Sequence, residues 1–249
     1  IKKVTKTAGA SLALLLALAG CTVSGTTAQS EVEVTTPPAN EIDISAHVDA
    51  ALEELTSSVL SLGPNGEAPA GFESTELTAD EVAQIQAAGL TAAIVMHYAG
   101  NDWSSAQIEG LKDEFARIGI EVVAVTDADF KPEKQVSDIE TVMALNPDII
   151  ISIPTDPVAT SAAYKKAAAA GIKLVFMDNV PADMVGGTDY VSVVSADNMG
   201  NGAASAHLMA KALNGQGKIG LIYHDADFFV TAQRYQAVYY THLTQPTNY

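Results

Sequence analysis

Apolar residues recur along this chain in two rhythms, and the switch between them marks its architecture. Ile44, Val48, Leu52, Leu55, Val59 and Leu62 follow steps of three and four, the spacing of one helical face, so the stripe predicts an amphipathic helix over 44–62. Its apolar side needs cover, either from the chain's own domain or from a partner. "LGPNGEAPAG" then breaks the pattern, and "TADEVAQIQAAG" predicts a second short helix, with Thr78 as cap and Glu81 closing a capping box three residues on.

From residue 91 short, nearly unbroken apolar runs alternate with helical periods. "TAAIVMH", "IEVVAV", "DIIISI" and "KLVFM" read as strands. Between them lie three helical segments: one placing Ile108, Leu111, Phe115 and Ile118 on one face and ending at Gly119, one starting at Pro132, and the alanine-rich "VATSAAYKKAAAA" closed by Gly171. Strands apolar on both sides and joined by helices imply a parallel sheet covered on both faces, an α/β fold. "YVSVV", a helix near Met199–Leu213, a strand "KIGLIY" and a last helix read as the beginning of a second α/β unit.

The two ends depart from this pattern. Lys2, Lys3 and Lys6 precede an apolar run too short to span a bilayer comfortably, and "LAGC" ends it at Cys21, the only cysteine. The segment predicts a secretory signal, with an ordinary cleaved signal or a free thiol as the alternatives to lipidation. Residues 22–42, rich in Ser, Thr and Pro, suit an extended tether. At the other end the composition changes abruptly at "YYTHLTQPTNY", and residues 239–249 are read as a non-native tail resembling translated adapter sequence. The expected organisation is therefore signal 1–21, tether 22–42, helical extension 43–89, first lobe 90–179, the start of a truncated second lobe 180–238, and the tail.

A net charge of −17 among 249 residues excludes nucleic acid as an expected partner, because such binding rests on basic side chains neutralising phosphates. Open parallel sheets bind ligands beyond the carboxyl ends of their strands. The residues there are His97, Tyr98, Asn101, Asp102 and Trp103 after the first run, Thr155 and Asp156 after the third, and Asp178 and Asn179 after the fourth; His224, Asp225, Asp227 and Phe228 follow "KIGLIY", with Arg234 one turn on. Carboxylates and amides can hydrogen-bond pairs of hydroxyls, and a flat ring can pack on the C–H face of a sugar, so the mixture suits a neutral polyhydroxylated ligand. His97, His207 and His224 lack metal-ligand spacing, and neither a metal nor a cofactor is expected.

"NDWSSAQIEG", "PTD" at 154–156, "VFMDN" ending in Asp178 and Asn179, "VSADNMGNGAASAHLMAKAL" and "TAQRYQAV" occur in the order seen in periplasmic sugar-binding proteins of the ribose and galactose type. The chain resembles that family from about Thr91 to Val238. The fold is shared with lac-repressor-like regulators, and the resemblance implies a type 1 periplasmic-binding-protein fold of two lobes. It also implies ligand contacts from His97, Tyr98, Asn101, Trp103, Asp156, Asp178 and Arg234, partnership with the membrane subunits of an ABC importer, and no enzymatic chemistry. "LAGC" resembles the lipobox of bacterial lipoproteins, which implies a lipid on Cys21 and a protein anchored to the outer face of the cytoplasmic membrane. Family members often place two adjacent aromatics in the first turn. Here Ser104 follows Trp103, which leaves the stacking partner to His97, Tyr98 or Phe228, or to none.

Each site residue also has a local explanation. Asp156 ahead of Pro157 suits a helix cap, Trp103 could anchor the helix it starts, Asp178 could hold the crossing segment, and Arg234 could pair with a surface carboxylate. "GNG" at 200–202 hints weakly at phosphate. The competing functions are an exported hydrolase using Asp156 or Asp178 with His224, a regulator of the lac-repressor type, which the secretory segment opposes, and a receptor for a small signalling molecule.

Overall fold

The structure is a computed structural model that describes residues 43–224 and 228–243; the signal, tether and Cys21 lie outside the described residues, as do Asp225 and Asp227. Five parallel strands, β1 (Thr91–Met96), β2 (Glu121–Asp127), β3 (Ile149–Ser152), β4 (Lys173–Met177) and β5 (Ser192–Val194), form one sheet in the order β2-β1-β3-β4-β5. The helices are α1 (Ile44–Thr56), α2 (Ala79–Ala88), α3 (Asp102–Arg117), α4 (Pro132–Met143), α5 (Ser161–Ala169), α6 (Asn198–Ala212) and α7 (Phe229–Leu243).

Alternation within β1 explains the two-faced sheet. Ala92, Ile94 and Met96 enter one apolar cluster with Ile108 and Phe115 of α3 and Val82 and Ile85 of α2. Ala93 and Val95 enter the other, with Ile139 and Val142 of α4 and Tyr164 and Ala167 of α5. Tyr164 is fully buried, and its phenol pairs with Ser152 Oγ at 2.5 Å, which in turn donates to the Val95 carbonyl at 2.6 Å. Burial pushes that phenol's pKa up, so it stays neutral.

Three expectations change. The first helix stops at Thr56 instead of running to Leu62. The Ser57 and Ser58 hydroxyls donate back to the Glu54 carbonyl, a local alternative to continuing the helix, and Val59 and Leu62 are left exposed. "YVSVV" does form a strand, but β5 pairs with β4 in the first sheet, so the boundary at 180 falls inside that sheet. "KIGLIY" forms no strand: Ile222 is fully exposed and Tyr223 largely so. A lone run has no neighbour to take its backbone hydrogen bonds, and none is present beside it among the described residues. α7 crosses the change of composition at residue 239 and continues to Leu243.

Candidate functional site

The order β2-β1-β3 places a switch between β1 and β3, where the helix after β1 covers one face of the sheet and the helix after β3 the other. In open parallel sheets such a switch, beyond the carboxyl ends of the strands, is where ligands bind. His97 and Tyr98 leave β1 at this end. Asn101 caps α3, its side-chain oxygen accepting the Ser104 N–H at 2.8 Å, and this fixes Trp103 in the first turn with its indole 49% exposed. The half-exposed indole therefore does not belong to the core under α3.

Rings gather around His97. Its imidazole meets Trp103 edge-on at 6.3 Å and Phe130 edge-on at 5.0 Å, while Tyr98 stacks on Phe130 at 4.8 Å. Phe130, not Phe228, is thus the aromatic neighbour of this corner; Phe228 lies against His224. Sequence reasoning passed over Phe130, because an aromatic in the loop after β2 carries no periodic signal. Its backbone does carry one in space: Asp129 and Phe130 have φ of 51° and 55°, left-handed values uncommon for residues with a β-carbon. The Phe130 N–H donates to the His97 carbonyl at 2.8 Å and the Asp129 N–H to Asp127 Oδ1, bonds that hold this turn. Burial lowers the His97 pKa, partly opposed by the negative charges of Asp178 and Asp127, so the imidazole is neutral near pH 7. Among the described residues, its buried Nδ1 has no hydrogen-bond partner, nor has the buried Oδ1 of Asn179.

On the other side of the switch, Asp156 Oδ1 accepts the N–H groups of Val158 and Ala159 at 2.9 and 2.7 Å. These bonds close the turn over 157–160 ahead of α5, whose own N-cap is Thr160, so Asp156 holds a local turn and is not the expected helix cap. The loop bearing it is fixed by Gln135, fully buried on α4, which donates to the Ile153 carbonyl and accepts both the N–H and the hydroxyl of Thr155. A glutamine in line with Ile139 and Val142 on the apolar stripe of that helix was the sequence signal for this role.

Asp178, with φ 58°, turns the chain just after β4, and its Oδ1 accepts the Ser195 hydroxyl at 2.8 Å. Ser195 Oγ in turn accepts Nδ2–H of Asn198, fully buried in the first turn of α6, and Asn198 Oδ1 accepts Nε–H of Arg234 on α7, each at 2.8 Å. Arg234 thus points at an amide rather than at a surface carboxylate, and a continuous hydrogen-bonded line joins it to Asp178 across two elements. Gly200 and Gly202 do not form a phosphate cradle. The Gly200 N–H is taken by Asp197, and Gly202 lies against the backbone of α7.

An open groove of about 460 Å³ includes Arg234, Gly202, Leu208 and Val238, but not Trp103, Asp156 or Asp178. A second, of about 770 Å³, lies at the opposite end of the strands, beside Asn146, Asp148 and Lys173. Among the described residues no helix is long and apolar enough to cross a membrane, and no group of three acidic, His or Cys side chains could hold a metal ion.

A family model described as the periplasmic binding protein domain matches residues 92–245. The ribose import binding protein of Bacillus subtilis is 32% identical over 110 residues, which is 40% of this chain and 36% of that protein. An ABC transporter solute-binding protein from Agrobacterium vitis, solved with α-D-tagatopyranose, is 26% identical with a TM-score of 0.57, covering 63% of this chain and 55% of its own. An ABC sugar transporter subunit from Rhodobacter sphaeroides is 25% identical with a TM-score of 0.56, covering 63% and 53%. The chain spans about a third of the curated relative and about half of the solved ones.

Proposed function

Since the chain belongs to the periplasmic binding protein domain family, we propose that it is the solute receptor of an ABC importer, capturing a sugar or related polyol between two lobes and releasing it unchanged to membrane subunits. The observation that carries this reading is the line Asp178–Ser195–Asn198–Arg234. It links a carboxylate just after β4 to a guanidinium on α7, both groups suited to hydrogen-bonding pairs of hydroxyls. Trp103 supplies a flat apolar surface, with His97, Tyr98 and Phe130 bracing that corner. Asn101 and Asp156 hold the turns from which the contacts project, and the unpartnered atoms of His97 and Asn179 match the hydroxyls of such a ligand. The sugars named for the relatives point to the same class of ligand.

The mechanism is a shift between open and closed arrangements. A ligand that touches both flanks favours the closed one by its additional contacts there and by nothing else. In this reading the chain is exported and held at the outer face of the cytoplasmic membrane by a lipid on Cys21. Binding rather than catalysis is favoured by Asp156, whose Oδ1 is occupied by two backbone N–H groups.

Thermal shift and titration with D-ribose, D-tagatose and myo-inositol test the proposal. A sugar that binds only the folded chain stabilises it, by about 2.7 kcal/mol at a hundred times Kd, and so raises its melting point. Trp103→Ala is expected to weaken that binding by about 1–3 kcal/mol and leave the fold intact. Conversion of the sugar to a product would replace this reading with the hydrolase.

A further inference from the structure

Residues 43–89 precede the matched family region, yet the segment after α1 grips the part of the molecule that holds Arg234. Ser61 is buried, donates its hydroxyl to Asp197 Oδ1 at 2.8 Å and accepts the Met199 N–H at 2.9 Å. The N–H groups of Leu60 and Ser61 donate to the two carboxylate oxygens of Asp197 at 3.0 and 2.9 Å. Gln233 Nε2 donates to the Leu62 carbonyl at 3.0 Å. Asp197 and Met199 are the chain neighbours of Asn198, and Gln233 is the neighbour of Arg234. The grip therefore brackets both partners of the Arg234–Asn198 hydrogen bond. Its other end is tied to the sheet body, because Val82 and Ile85 of α2 pack under the sheet and Gln86 Nε2 donates to the Arg117 carbonyl.

We infer that Ser61 is a positioning residue for Arg234: the extension, through Ser61 and Leu62, sets the register of α6 against α7 and so the aim of the guanidinium. The consequence for affinity rests on the proposed function, whereas the positional effect does not. A docking contact of purely structural use would stabilise α6 and leave the Arg234 side chain indifferent to the Ser61 hydroxyl.

The chain has two arginines, so labelling with ¹⁵N-arginine yields two Nε–H signals. Arg117, paired with Glu114 within α3, is the internal reference. In Ser61→Ala the Arg234 Nε–H is expected to shift and to exchange about fivefold faster, the factor carried by loss of a typical hydrogen bond. Arg117 and the sheet amides should not move, and Ser61→Thr should restore the signal. Gln233→Glu, which removes the donor to Leu62, should move the same signal independently. An Arg234 signal unmoved in both Ser61→Ala and Gln233→Glu overturns the inference. Titration with D-ribose, D-tagatose and myo-inositol separates the two claims. Affinity reduced by a similar factor in Ser61→Ala supports both, and a wild-type chain that binds none of them, with the Arg234 signal still moved by Ser61→Ala, sinks the sugar reading and leaves the positioning role in place.

Discussion

"KLVFM" at 173–177 and "KIGLIY" at 218–223 look alike in sequence and meet different fates. The first is β4, hydrogen-bonded on both edges, with Leu174 and Phe176 buried between α5 and the loop before β5; the second makes no ladder, and its Ile222 is wholly exposed. Apolar content makes a strand possible, but paired neighbours make one real. The body over 91–194 supplies its own neighbours, strand by strand. The α6–α7 pair after it is held mainly by helix-on-helix packing and by the grip of residues 60–62.

The sharpest way to break this comparison is to remove a side chain from each run. Phe176 is fully buried, with Tyr164 and Tyr190 edge-on at 5.0 and 5.4 Å. Phe176→Ala should cost about 3–5 kcal/mol, seen as a large fall in melting temperature or denaturant midpoint. Ile222→Ala should stay within about 0.5 kcal/mol of the parent. Similar losses at the two positions would mean that "KIGLIY" is packed in solution and that the contrast drawn here is wrong.

A smaller effect is expected where the two helices meet. A β-carbon on Gly202 would lie 2.4 Å from the Arg234 carbonyl oxygen and 2.7 Å from the Ala237 β-carbon. The backbone of α7 would have to retreat. Gly202→Ala should cost about 1–3 kcal/mol, and hydrogen exchange should show the loss in α6 and α7 while β1–β5 keep their protection. Uniform loss across the sheet would show that the body and the helix pair unfold as one unit, which would sharpen the comparison in the opposite direction.

How much of this was legible beforehand follows the same line. Between 91 and 177 each strand and helix could be read, because local periodicity, caps and glycine stops all agreed with the tertiary arrangement. The site was legible in its types and places, at the ends of strands, and less so in its wiring. Asn101 and Asp156 serve backbone N–H groups, a role their positions allowed but could not decide. Phe130, Gln135 and the Ser195–Asn198 link were missed because each acts through a partner remote in sequence, at 33, 20 and 36 positions for its furthest contact. The end of the first helix was misread for a similar reason: Val59 and Leu62 continue the apolar rhythm, but Asp197, 137 and 136 positions away, claims the N–H groups of Leu60 and Ser61 between them.

That carboxylate gives the mildest and most selective test of the boundary between the two regions. Burial pushes the Asp197 pKa up, but N–H groups from Gly200, Leu60 and Ser61 and the Ser61 hydroxyl outweigh it, and the net shift is downward. A carboxylate whose folded pKa is depressed contributes stability that is fully present above its unfolded value, about 3.9, and is lost as pH falls through the folded value. Asp197→Asn keeps an oxygen for capping α6 and removes the charge, so the difference between parent and variant isolates this group from the other acids of the chain. At neutral pH the parent should melt higher by an amount typical of a negative charge at a helix N-terminus, about 0.3–1 kcal/mol or 1–4 °C, and the gap should close below about pH 3.9. Amide exchange should place the change at residues 60–62 and the first turn of α6, with β1–β5 unaffected. A gap that persists at low pH, or one that spreads into the sheet, would mean that Asp197 acts through the core rather than by holding the extension to the helix pair.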